Sequence, residues 1–396
     1  MELIFLGLMY SDTLLAEATK ASFTALQMAP HTFQKNLLSG LTETEELSVS
    51  TFYVPPMGSF PLHSKKLLVK TEKSAGGKNV GIGYWNLPVM KQAMMRTAIK
   101  KLLKSRLRGT GEGTALLIYS LFEPFLDAAV WAKKRYPDLH ICVLHTDAVP
   151  GRNDMERYMT AEAKRRGDRL VGKAKCADSF AVLTKYLPEV LEAEGRPFAI
   201  VECICNFSQN AAPRAKNEKP ICLYTGSLAK EFGLFELVEA FKTIENAELW
   251  ICGNGELGEY LRKTEQTHTG IRFFGFLPQE KLGELRDQAS FLINPRRPNG
   301  TYTKYSFPSK TAEYMASGKP VVMYKLEGIP DSYDPYLSYL SADTPDGIAA
   351  ELRALFATDY EALCDKAEQG RSFIRETASP QHRAEQILGL IKGEPT

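Results

Sequence analysis

Ser306-Phe307-Pro308-Ser309-Lys310-Thr311-Ala312-Glu313-Tyr314-Met315-Ala316-Ser317-Gly318-Lys319-Pro320-Val321-Val322 is the stretch most able to do chemistry. It reads as a loop running into a helix over Lys310–Ser317, closed by Gly318 and followed by a strand over Pro320–Tyr324. Loop N–H groups at Ser306–Ser309, reinforced by the helix dipole, make an anion site. Glu313 lies about one turn further in, where a carboxylate can accept two hydrogen bonds from a diol such as a ribose. Taken alone, such a glutamate is equally an ordinary solvated helix residue. A second candidate is His145, in Cys142-Val143-Leu144-His145-Thr146-Asp147, at the end of a strand. A strand-end histidine can be structural or can touch a ligand, with Asp147 orienting it or binding a hydroxyl.

The elements that must hold these residues follow from hydrophobic pattern. Short apolar runs alternate with helical patterns, the signature of βαβ units and parallel sheets. Strands are predicted at Leu3–Leu6, Leu47–Tyr53, Ala115–Tyr119, Ile141–His145 and Ser179–Leu183, with helices at Leu121–Lys134 and Asp154–Ala174. Asn206–Lys219 has no apolar period and reads as a linker. The pattern then restarts with strand Ile221–Tyr224, a Gly-Ser turn and helix Glu231–Ile244. Strand Glu248–Cys252 leads through Gly253-Asn254-Gly255 into a helix reaching Arg262. Strand Ile271–Phe273, helix Gln279–Ala289 and strand Phe291–Asn294 come next, and helix Pro380–Lys392 closes the sequence. The expected architecture is α/β: a first domain over 1–205, a linker over 206–219 and a second domain over 220–379. Ligands of doubly wound sheets bind at the carboxyl ends of the strands, and two facing domains would place the site in the cleft between them.

Four motifs in the second half then carry a resemblance. They are Tyr224-Thr225-Gly226-Ser227-Leu228-Ala229-Lys230-Glu231-Phe232-Gly233, Trp250-Ile251-Cys252-Gly253-Asn254-Gly255-Glu256-Leu257, Ile271-Arg272-Phe273-Phe274-Gly275-Phe276-Leu277-Pro278 and the Ser306–Val322 segment. In this order and at these separations they resemble the retaining nucleotide-sugar glycosyltransferases of family 4, which have the GT-B fold. The resemblance implies two Rossmann-like domains, acceptor bound by the first and donor by the second, with the terminal helix over 380–396 packing back on the first. It implies that Glu313 binds the donor ribose and that backbone around Phe276 and Leu277 holds the base. Gly226, Ser227, Gly253, Asn254, Ser306, Phe307, Pro308, Ser309 and Lys310 would line the donor site, and His145 would touch the transferred sugar or the acceptor. The family's first glutamate falls at Tyr305 and is missing. Its usual Arg and Lys of the first glycine loop are Ser227 and Phe232, so Lys230, or else Arg296 in Asn294-Pro295-Arg296, would supply the diphosphate cation. The family expectation is front-face transfer with no metal and no cofactor beyond the donor substrate, and no enzymic nucleophile is named.

Composition narrows the alternatives. Hydrophobic residues are 44% and charged residues 24%, an ordinary globular mix, and the net charge of +2 disfavours a globally basic nucleic-acid binder. The seven cysteines form no Cys-x-x-Cys pair, and neither they nor the six histidines give zinc-ligand spacing, so buried thiols in a reducing compartment are expected. The apolar start at Met1–Gly7 lacks a basic lead and reads as a strand, and no run reaches the ~18–20 apolar residues of a membrane span. A cytoplasmic location follows, with one complication: Met90–Gly109 holds seven cations and no acid. At helical spacing Met95, Ile99, Leu102 and Leu103 share one stripe, while Lys100, Lys104 and Arg108 share another. With Lys91, Arg96 and Lys101 these suit a basic amphipathic helix on an anionic membrane, as a lipid-linked saccharide acceptor would require, although the stripe could equally pack on its own sheet. Rival readings are a nucleotide-sugar epimerase of the same fold and a non-catalytic subunit of a glycosyltransferase pair. A nicotinamide dehydrogenase fits poorly, because no Gly-x-Gly-x-x-Gly follows the first strand.

Overall fold

The computed structural model describes residues 1–23, 26, 28–45, 47–153, 158–207, 211–215 and 217–394. The chain divides into two units: Met1–Ile204 with Tyr305–Phe307 and Ala378–Thr396, and Cys205–Lys304 with Pro308–Thr377.

The first unit runs β1 (Glu2–Gly7), α1 (Asp12–Ala21), α2 (Met28–Glu43), β2 (Ser48–Tyr53), β3 (Leu68–Val69), β4 (Glu72–Lys73), β5 (Asn79–Gly81), β6 (Tyr84–Trp85) and α3 (Pro88–Arg106). It continues with β7 (Thr114–Tyr119), α4 (Glu123–Arg135), β8 (His140–His145), α5 (Ala161–Ala174), β9 (Ser179–Val182), α6 (Leu187–Val190) and β10 (Phe198–Ile200). Eight strands form one sheet in the order β10-β9-β8-β7-β1-β2-β5-β4, parallel except for the β4–β5 pair, and β3 and β6 make a separate antiparallel ribbon. Leu3, Ile4, Phe5 and Leu6 on β1, and Leu116, Leu117 and Ile118 on β7, are fully buried, as strands covered on both faces must be. The strand order reverses between β1 and β7, so the carboxyl ends of β1, β7 and β8 are where a ligand would meet this sheet.

The helices differ more from expectation than the strands do. α1 and α2 were not foreseen; α1 is fixed by Ser11, whose hydroxyl accepts from Leu14 N at 3.1 Å. α4 starts two residues later than expected, with Pro124 in its first turn. Of the helix expected over Asp154–Ala174, residues 154–157 lie outside the described residues, and α5 itself begins only at Ala161, capped by Thr160.

The second unit contains β11 (Ile221–Ser227), α7 (Leu234–Phe241), β12 (Glu248–Asn254), α8 (Gly258–Thr267), β13 (Ile271–Gly275), α9 (Gln279–Gln288), β14 (Phe291–Asn294) and α10 (Ser309–Ala316). β15 (Val321–Tyr324), β16 (Ser338–Leu340), α11 (Pro345–Phe356) and α12 (Tyr360–Ala378) complete it. Its six parallel strands are ordered β13-β12-β11-β14-β15-β16, the doubly wound order with its reversal between β11 and β14. The expected Gly-Ser turn is strand instead, because Gly226 and Ser227 stay paired with Gly253 and Asn254. The single helix expected over Glu231–Ile244 is two pieces, a 3-10 turn over Lys230–Phe232 and then α7. Gly233 separates them at φ 77°, and a Cβ there would sit 2.3 Å from the Pro295 carbonyl oxygen.

The last helix, α13 (Pro380–Lys392), belongs to the first unit. Ser379 caps it at one end, Gly393 ends it at φ 75°, and it crosses α2 so closely that a Cβ on Gly40 would lie 2.0 Å from the Pro380 carbonyl oxygen. Arg383 anchors it from a buried position, donating to the carbonyls of Cys203 and Ile200 at 3.2 Å each and lying 2.8 Å from Glu202 Oε2.

Candidate functional site

In the second unit the carboxyl ends of β11, β12 and β14 converge on a cradle of backbone. Gly253 has φ 153°, and a Cβ on it would stand 1.8 Å from the Gly226 carbonyl oxygen. At Gly255, φ 158°, the corresponding approach is 2.8 Å to the backbone of Leu228. Leu228 N donates to Asn254 O at 2.9 Å, and Leu257 N to Leu228 O at 3.1 Å. The two glycine loops are therefore stitched to each other with no room for side chains, leaving backbone available to a ligand.

Charge enters this cradle from two cations. Lys230 is exposed, and its backbone N–H is taken by Glu256 Oε1 at 2.8 Å. Arg296 follows β14; its guanidinium lies 5.6 Å from the centre of the Phe232 ring and 5.2 Å from that of Tyr302. Aromatic faces hold a cation in place without neutralising it. Phe232, a departure from the resembled motif, thus supports the cation that motif would have carried at the same position. The neighbouring Arg297 lies instead 3.5 Å from Glu236.

α10 is tied to β11 by Tyr314, whose hydroxyl accepts from Thr225 N at 2.9 Å and contacts Thr225 Oγ1 at 3.0 Å. Burial pushes that phenol up to about 12, so it remains a neutral strut. Glu313, one residue earlier, is half-buried and pairs through Oε2 with Lys310 Nζ at 2.6 Å. Ser306 and Phe307 belong to the first unit and Pro308 to the second; Pro308 precedes the first helical residue of α10, Ser309. Tyr305, at the place of the missing glutamate, packs edge-to-face on Tyr186 at 6.3 Å. Phe276 is 74% exposed just past β13, beside the half-buried Leu277.

In the first unit His145 ends β8. It is 1% exposed, and neither ring nitrogen makes a well-formed hydrogen bond within the described residues, the Asp147 backbone being its polar neighbour. Burial lowers it to about 4, which keeps the imidazole neutral at ordinary pH. Around it the ends of β7 and β8 are tied by Thr146 Oγ1 donating to Tyr119 Oη at 2.7 Å and by Ser120, whose hydroxyl bonds the Asp147 carboxylate. Ser120 adopts φ 65°, a left-handed conformation rare outside glycine. Sequence reasoning missed Ser120, Tyr314 and the Phe232–Tyr302 pair; only the αL serine and the ring contacts reveal them.

The basic helix is α3, and its apolar stripe has a partner already. Met95, Ile99 and Leu103 are buried in the core of the first unit, with Leu102 packed beside them. That corrects the expectation of an apolar face open to lipid. Several of its cations are engaged as well: Lys91 donates to Met57 O at 3.2 Å, Arg106 to Gly77 O at 2.7 Å and Arg108 to Leu107 O at 3.1 Å, and Arg96 pairs with Asp127 at 3.1 Å. Lys100, Lys101, Lys104 and Arg108 make no ion pair among the described residues. No described helix is long and apolar enough to cross a membrane. No disulfide forms among the described cysteines, and no described group of three His, Cys, Asp or Glu side chains gathers at metal-binding distance.

Residues 219–358 match the family model for glycosyl transferases group 1. A search of curated protein sequences returns no match. Among solved structures the chain is similar to a sucrose-phosphate synthase from Thermosynechococcus elongatus, at 13% identity and TM-score 0.63, covering 99% of this chain and 98% of that one. It is similar to a trehalose-6-phosphate structure from E. coli bound with UDP-2-fluoro glucose, at 10% identity and TM-score 0.64, covering 99% of each. It is also similar to WaaG, a glycosyltransferase involved in lipopolysaccharide biosynthesis, at 12% identity and TM-score 0.61, covering 99% of this chain and 100% of that one. The fold is GT-B, and the match to glycosyl transferases group 1 falls almost wholly within its second unit.

Proposed function

We propose that this protein is a retaining, metal-independent glycosyltransferase of family 4 type. It moves a sugar from a UDP- or GDP-sugar to a hydroxyl of a glycan or lipid-linked saccharide, on the cytoplasmic side of an anionic membrane. The observation that carries the reading is the cradle at the carboxyl ends of β11, β12 and β14, inside the segment that matches glycosyl transferases group 1. A backbone too tight for side chains, an exposed lysine and a ring-held arginine suit a diphosphate. In the transfer the bond between the anomeric carbon and the diphosphate oxygen breaks. A bond to the acceptor oxygen forms on the same face, and the acceptor proton passes to the departing diphosphate. Arg296 and Lys230 balance the charge that develops on that leaving group. Glu313 keeps Oε1 for a ribose hydroxyl while Oε2 stays with Lys310. His145, neutral and buried, donates or accepts one hydrogen bond to the sugar without supplying charge.

Thermal shift with UDP, GDP and ADP tests this. At ~100 times its dissociation constant a ligand adds about 2.7 kcal/mol, which raises the melting temperature of a unit this size by roughly 5–10 °C. One nucleotide should produce the shift, and Glu313→Ala and Arg296→Met should each remove most of it. No shift with any of the three refutes the donor site and favours the non-catalytic reading, for which Tyr305 in place of the first glutamate is the motive.

A further inference from the structure

We propose that the protein docks on an anionic lipid bilayer through the corner formed by the β3–β6 ribbon and the first turn of α3, with the outward strip of α3 lying along the headgroups. The inference rests on the part of the proposed function that puts the protein at a membrane surface, and assigns that contact to residues other than the buried apolar stripe.

The ribbon is two-faced. Val69 and Tyr84 point into the core, while the pair opposite each other on the outer face, Leu68 and Trp85, are 43% and 45% exposed. Three residues on, α3 begins at Pro88, and the next two residues, Val89 and Met90, are 86% and 50% exposed. Buried Asn86 locks this corner: its backbone donates to Leu67 O at 2.7 Å and its side chain to Gly58 O at 2.7 Å and Lys66 O at 3.0 Å. Leu62, 70% exposed, lies in the turn this residue secures through the Phe60–Asn86 bond. Large apolar groups on a braced backbone, including a tryptophan, suit the boundary between headgroups and acyl chains.

Charge supplies the choice of occupant. Steps of 100° along α3 put Met90, Ala93, Thr97, Lys101 and Lys104 on one exposed strip, directly opposite buried Met95, Ile99 and Leu103. That strip runs about 21 Å from Met90 to Lys104 at 1.5 Å per residue. α3 carries no acid, and residues 47–111 hold twelve lysines and arginines against the single acid Glu72. An apolar corner continued by an uncompensated cationic strip matches a surface that is oily beneath and negative above.

The test is sedimentation of the full-length protein with large unilamellar vesicles, of phosphatidylcholine alone or mixed equally with phosphatidylglycerol. Wild type should partition at least tenfold more strongly to the anionic vesicles. The triple change Trp85→Ser, Val89→Ser, Met90→Ser and the pair Lys101→Glu, Lys104→Glu should each lower that partitioning at least tenfold, with wild-type circular dichroism and melting temperature. Brominated acyl chains should quench tryptophan fluorescence, and Trp85→Phe should remove the quenchable fraction. If wild type binds and both variants bind equally well, the surface is wrong while membrane attachment stands. If wild type binds neither vesicle, the membrane part of the proposed function fails and this surface with it, and the nucleotide shifts still judge glycosyl transfer. Capture of a single-stranded oligonucleotide instead, lost in the lysine variant, would reassign the strip.

Discussion

Replacing Arg383 with methionine removes the anchor of α13 without emptying its volume. Four polar contacts disappear: those to Cys203 O and Ile200 O, one to Gln386 Oε1 at 2.8 Å, and the pairing with Glu202. Ile200 O keeps a donor in Gln386 Nε2 at 3.2 Å, so its loss is minor. The large cost is at Glu202, whose side chain is only 10% exposed and loses the guanidinium beside it. Breaking one side of such a pair costs about 3–5 kcal/mol, whereas replacing both sides with apolar groups is often neutral. For a unit of this size that is a melting temperature lower by roughly 6–20 °C. Adding Glu202→Met should return most of the loss, with a coupling of at least ~2 kcal/mol in the double-mutant cycle. Calorimetry on the four proteins measures it. A double variant no more stable than Arg383→Met would refute the argument, because the cost would then lie in packing or in the carbonyls and not in the broken Arg383–Glu202 pairing.

Two further predictions concern titration. Lys319 is buried, donates to Asp287 O at 2.8 Å and Ala289 O at 2.7 Å, and is lowered by burial to about 8. Its folded value lies below the ordinary 10.5, so the unfolded chain holds more protons between about pH 8 and 10.5, and stability should rise with pH across that window. Urea midpoints of wild type compared with Lys319→Met, at pH 7.5 and 10, read the difference; a gap that stays constant contradicts it. His145, lowered to about 4, should show no imidazole titration between pH 5 and 8 by nitrogen-edited NMR, and its contribution to stability should grow from pH 4 to 6.5. A midpoint near 6.5 would mean that the ring is hydrated in solution.

What the sequence disclosed, and what it hid, follows the range of the interactions involved. Buried parallel strands write their positions as continuous apolar runs, and β1, β7, β8 and β14 lie within a residue of where such runs place them. Helix α13 is legible because its signals are local: Pro380 in the first turn, a serine cap before it and Gly393 after it. α2 is not, since MAPHTFQKNLLSGLTE mixes a proline and a glycine into its faces, and its helix is held by contacts with α13 some 340 residues away. The extension of β11 through Gly226 and Ser227 depends on pairing with β12 and not on strand propensity, which glycine lacks. At the candidate site the residue types around Glu313, His145 and the glycine loops stand out in the sequence. The support of Arg296 by Phe232 and Tyr302 does not, for it joins the β11–α7 and β14–α10 connections, whose meeting is set by the sheet order.

The position of α13 bears on how the protein is made. The first unit is nearly complete in sequence by Ile204, yet the helix that covers α2 is translated only after the second unit. At the ~5–20 residues per second of synthesis, roughly 10–40 s pass between the two events. During that interval the nascent first unit presents the seat of Ile387, Leu388 and Ile391 uncovered, while the whole of the second unit is threaded out behind it. The second unit can close on its own residues as they emerge, so the unit translated earlier of the two is the one that finishes folding later.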